Sequence, residues 1–114
     1  MIYKYKKRGG ESVKIEGRLN LHYSNDNFIM FYQGRSVNIS DILSGMYVDK
    51  SIIKVKISDK YSGKVLFDAT GELHKDKIQP KYYSYYIDGQ DLEEVLWDNV
   101  GRKLVIEINN VTKE

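Results

Sequence analysis

Cysteine is absent from the 114 residues, which excludes disulfide staples, thiolate metal sites and cysteine nucleophiles. Proline occurs once, at Pro80, and histidine twice, at His22 and His74. No apolar run approaches the roughly 18 residues of a transmembrane helix. The N-terminal stretch MIYKYKKRGG is basic but has no apolar core or cleavage site behind it, unlike a secretory signal. A soluble cytoplasmic protein with no membrane partner is therefore expected. An excess of one charge is lacking too: 18 basic and 16 acidic residues leave +2. The signs alternate along most of the chain, so no general polyanion-binding field is implied. Lys4, Lys6, Lys7 and Arg8, followed by Gly9 and Gly10, are the local exception. They form a solvated edge strand or arm, or else a contact for phosphate or an acidic partner.

Catalytic motifs are missing as well. The nine glycines fit neither G-x-x-x-x-G-K-[ST] nor G-x-G-x-x-G. None of the serines lies in a G-x-S-x-G elbow. No cofactor is expected and no catalytic residue is singled out. The composition is rich in Lys, Ile, Asn and Tyr, which suggests an AT-rich genome such as that of a low-GC bacterium or its phages.

What the chain does contain is an internal echo. VKIEGRLNLH (13–22) aligns on VLFDATGELH (65–74), NFIMFYQG on YYSYYIDG, ISDIL (39–43) on LEEVL (92–96), and VDKSII (48–53) on VGRKLV (100–105). Three extra residues fall in the loop DKIQPK, which holds the proline. In the first segment of each copy, alternation puts Val13, Ile15, Leu19 and Leu21, or Val65, Phe67, Ala69 and Leu73, on one face of a strand. ISDIL and LEEVL carry helical spacing, with Ser40 and Asp41 at the start of the first. The second is the better formed, capped by Asp88 or Asp91 and ended by Gly101.

The order strand, strand, short helix, strand, repeated twice, predicts a mainly β, β-rich α+β single domain over 1–114. Its parts are an arm or extra strand at 1–10, repeats at 13–57 and 65–108, and a tail at 109–114. In topology it resembles the small pseudo-twofold barrels of the double-psi and cradle-loop type. That resemblance implies two interleaved halves closed around one core.

Three groups are candidate sites. Glu16, Asn20 and His22, and likewise Asp68, Glu72 and His74, share the polar face of a strand; imidazole with carboxylate can bind a divalent ion, but an outward face is the wrong place for it, and no metal site is assigned. Tyr82, Tyr83, Tyr85 and Tyr86 give an aromatic strand beside Lys75, Lys77 and Lys81. Such a strand suits sheet packing, a protein interface or a base-stacking platform. Trp97, at the margin of the second helix's apolar stripe, completes the core or anchors a partner together with Tyr47 and Tyr61. The expected function is a non-enzymatic protein-binding module, of the kind encoded by a phage or mobile element to inhibit a host protein. It would act through Tyr82, Tyr83, Tyr85, Tyr86, Trp97, Lys4, Lys6, Lys7 and Arg8. Single-stranded nucleic-acid binding is the first alternative and a metal-dependent enzyme the second; homo-oligomerisation is left open.

Overall fold

Period-two alternation has the result it predicts: Val13, Ile15 and Leu19 are buried, as are Ile53, Val55 and Ile57, while Lys14 and Lys54 between them face solvent. The computed structural model describes residues 12–22, 27–46, 51–79 and 82–111. In chain order the elements are β1 (Ser12–His22), β2 (Asn27–Tyr32), β3 (Arg35–Asn38), α1 (Ile39–Met46) and β4 (Ile52–Asp59), then β5 (Val65–Gln79), β6 (Tyr82–Ile87), β7 (Gln90–Asp91), α2 (Leu92–Asp98) and β8 (Lys103–Asn110). The strands form one antiparallel sheet in the order β3-β2-β1-β8-β4-β5-β6-β7. Exchanging the first five elements for the last five reverses that order onto itself. The last strand of each half pairs with the first strand of the other, β8 on β1 and β4 on β5. Among the described residues no helix is long and apolar enough to cross a membrane.

β1 and β5 each serve two parts of the sheet. β1 pairs with β8 as far as Arg18 and with β2 from Leu19 onward. β5 pairs with β4 as far as Glu72 and with β6 from Leu73 onward. At both switches a backbone N–H reaches the chain entering the other half's last strand: Leu19 donates to the Arg102 carbonyl (3.0 Å) and Leu73 to the Ser51 carbonyl (3.2 Å). Gly17 and Gly71 lie just before these points, where a crossing chain comes close. A Cβ at Gly17 would meet the Phe31 carbonyl oxygen at 2.5 Å, and one at Gly71 the Asp88 nitrogen at 3.3 Å.

The core is built in rows across the four central strands. Ile15, Ile106, Ile57 and Phe67 are successive cross-strand neighbours, and Val13, Ile108, Val55 and Ala69 form the next buried row. On the other face the same strands put Lys14, Glu107, Lys56 and Asp68 side by side in alternating sign. That face is wet.

Three expectations are corrected here. The sheet is not a closed barrel. β3 and β7 are its edges, because the chain leaves the sheet after each of them to start a helix. Asn38 accepts the N–H groups of Ser40 and Asp41, and Asp91 accepts that of Glu93, so the caps that start the helices also end the edge strands. Each half also has a strand more than expected. Gln33 and Gly34, and likewise Asp88 and Gly89, all have positive φ, the conformation of a two-residue type I′ hairpin turn. Finally, VDKSII does not lie over VGRKLV in register. Ile53 is buried but Val105 is on the wet face, and the buried residues of β8 are Leu104, Ile106, Ile108 and Asn110. A one-residue slip exchanges the faces of a strand, so the core positions match at a spacing one shorter. The expected N-terminal strand lies outside the described residues.

Candidate functional site

The sites expected from sequence separate. Lys4, Lys6, Lys7 and Arg8 lie outside the described residues, as do Tyr47, Lys81 and the side chains of Tyr82, Tyr83 and His22. Register puts Lys75 opposite Tyr85 and Lys77 opposite Tyr83. Yet Tyr85 is only 5% exposed, a correction to its place in a surface site. It faces inward with Ile87 because β6 closes over the core beside α2. Tyr86, on the other face, is half-buried opposite His74. His74 lies 3.5 Å from Glu72, both on the solvent side. Among the described residues, no group of three or more His, Asp or Glu is placed to hold a metal ion.

Trp97 is 50% exposed. Its ring stands edge-on to Phe28 of β2, with centroids 5.6 Å apart at 89°, so α2 of one half rests on a strand of the other. Beside this pair is a cleft of about 260 Å³, part of it open to solvent. Each half contributes four residues to its lining: Phe28, Ile39, Ser40 and Leu43 from the first, Tyr85, Leu92, Glu93 and Leu96 from the second. Much of that space is open solvent, so the cleft is a shallow recess rather than an enclosed small-molecule cavity. Val100, just after α2, is also exposed.

A second feature, missed in the sequence, is the β4–β5 turn. The Asp59 carboxylate accepts the N–H groups of Tyr61 and Ser62, both at 2.9 Å, and Arg102 reaches it at 3.4 Å. The Lys60 N–H donates to the Lys103 carbonyl. This fixed turn carries Tyr61 outward at 75% exposure. Lys103 places its ammonium 5.7 Å from the ring centroid, near the limit of a cation–π contact, and its main effect is on the hydroxyl. Its hydrogen bond and charge, helped by Lys60 and Arg18, hold the phenol below its ordinary pKa.

The Ser62 N–H is the largest cause of a lowered Asp59 pKa; partial desolvation opposes it, and Tyr61, the Ser62 hydroxyl and Arg102 assist. A carboxylate with a depressed folded-state pKa stabilises the fold above its unfolded value and loses that effect as pH falls through the folded one. The stability gap between the parent chain and Asp59→Asn is therefore expected to be widest at neutral pH and to close below about pH 4. Thermal melts across a pH series check this; a gap independent of pH would contradict it.

No family model matches the chain, and no curated protein or solved structure matches it either.

Proposed function

We propose that the chain is a non-enzymatic protein-binding module that docks its partner on Trp97 and the adjoining cleft. A half-exposed Trp held edge-on by Phe28 carries this reading. A large rigid aromatic beside a small apolar recess is the composition of a binding hot spot. We also infer that the halves descend from one duplicated strand-strand-strand-helix-strand unit, and the helices then bear on the function. Measured from the caps Asn38 and Asp91, Ile39 matches Leu92, Ile42 matches Val95 and Leu43 matches Leu96; the next positions are Ser44 and Trp97. The core stripe is kept in kind while a half-exposed Trp stands where the other helix has Ser. Small size and AT-rich composition suit an accessory protein of a phage or mobile element that inhibits a host protein.

Trp97→Ala is expected to weaken capture of the partner from the native host by about 2 kcal/mol, near thirtyfold. Loss of the Phe28 contact should cost only about 1 kcal/mol of stability, so the variant remains folded in a thermal melt. Phe31, 64% exposed on the opposite face of β2, serves as the control, and Phe31→Ala should leave capture unchanged. Equal capture by folded Trp97→Ala and the parent chain would end this reading.

A further inference from the structure

The sheet brings four cations to the corner around Tyr61. Arg18 on β1 and Lys103 on β8 are direct cross-strand partners, Lys60 is tied through its N–H to the Lys103 carbonyl, and Arg102 precedes Lys103. Two carboxylates are present, and both are taken: Glu16 pairs with Lys60 at 3.5 Å and Asp59 with Arg102 at 3.4 Å. Among the described residues no ion pair takes up Arg18 or Lys103; the Arg18 guanidinium donates to the Gly101 carbonyl. Like charges directly opposed on a ladder destabilise a sheet. Two rows along the same face the charged neighbours do alternate, Lys14 to Glu107 to Lys56 to Asp68. The like-charge pair stands beside the most exposed of the large apolar side chains described. A local rule broken at an exposed aromatic is what a binding site does to a sheet.

We propose that this corner binds single-stranded nucleic acid, with a base stacked on Tyr61 and backbone phosphates held by Arg18 and Lys103. An acidic peptide would use the cations but leave the ring idle. A nucleic-acid strand uses both, because every base has a face to stack and a phosphate beside it. The turn is already fixed by Asp59, so little ordering is needed on binding. Lys103 acts at the hydroxyl end of the ring, which leaves a ring face open. The inference is independent of the Trp97 reading and uses different residues and a different ligand.

The test is fluorescence anisotropy of the full chain with a labelled oligothymidine of about ten nucleotides at low salt. An abasic strand of equal length and polyglutamate are the comparison probes. The oligothymidine is expected to bind, with log affinity falling against log salt at a slope of about −1.4 for two phosphates. Tyr61→Ala should weaken it about tenfold, and Tyr61→Phe should keep it. Lys103→Met should flatten the slope by about 0.7. The abasic strand should bind the parent chain about as weakly as oligothymidine binds Tyr61→Ala. No binding at low salt, an abasic strand bound as tightly as the oligothymidine, or indifference to Tyr61→Ala overturns the proposal. Polyglutamate binding as tight as oligothymidine overturns it also and makes the corner a surface for an acidic protein.

Discussion

Ile106→Ala is expected to lower the unfolding free energy by about 4 kcal/mol. Ile106 sits in the middle of β8, 1% exposed, between Ile15 on β1 and Ile57 on β4. Truncation there removes three carbons from the row that joins the two halves. Hydrogen-bonded strands on both sides cannot move in to fill the space, so the cost lies toward the upper part of the roughly 2–5 kcal/mol range for such changes. A domain of this size is stable by about 5–15 kcal/mol, so one side chain holds a large share of that margin. Ile106→Val should cost about 1 kcal/mol, and Val105→Ala, next in sequence but on the wet face, less than that. Urea unfolding checks the series through its midpoints, with the slope unchanged if the loss is of packing alone. A loss under about 2 kcal/mol for Ile106→Ala would mean that the centre of the sheet is not the packed joint described above.

Alternation made the central strands legible, because buried residues recur at every second position from Ile53 to Ile57 of β4 and from Leu104 to Asn110 of β8, and, except at Gly17 and Gly71, from Val13 to Leu19 of β1 and from Phe67 to Leu73 of β5. β3 and β7 are 4 and 2 residues long, too short for a period of two to register. Their hairpins were nonetheless signalled by Gln33-Gly34 and, more strongly, by Asp88-Gly89. Closure was not legible: whether β3 meets β7 is a matter of sheet curl and helix placement, which no residue pattern along a strand encodes. The tyrosine strand shows a related limit. Alternation separates Tyr85 and Ile87 from Tyr86, but both faces are apolar, so the inward one emerged only from packing beside α2. Trp97 was recognisable from its place at the margin of the helical stripe. The basic corner was not, since Arg18, Lys60 and Lys103 are far apart in the chain and meet only through the pairing of β1 and β4 with β8.

Gly17→Ala should cost about 3 kcal/mol, close to the loss from Ile106→Ala but by the opposite route, crowding in place of a void. The added Cβ would sit 2.5 Å from the Phe31 carbonyl oxygen. That oxygen is backbone, and relieving the clash means moving β2, whose register with β1 runs from Leu19–Met30 to His22–Asn27. β2 in turn carries β3 and α1, so the whole wing must shift. A drop in Tm of about 12 °C follows for a domain near this length, with amide protection lost in β2 before β6. Two other glycines calibrate the effect. Gly63→Ala meets no atom within 4 Å and strains only its φ of +76°, worth about 1–2 kcal/mol. A Cβ added at Gly71, at the corresponding switch of β5, would lie 3.3 Å from the Asp88 nitrogen. That separation asks for a shift of a few tenths of an ångström in a hairpin turn, so Gly71→Ala should be the mildest of the three. If Gly17→Ala is no worse than Gly63→Ala, β2 is not held against β1 by close approach. The bend that folds the first wing over the core would then need another cause.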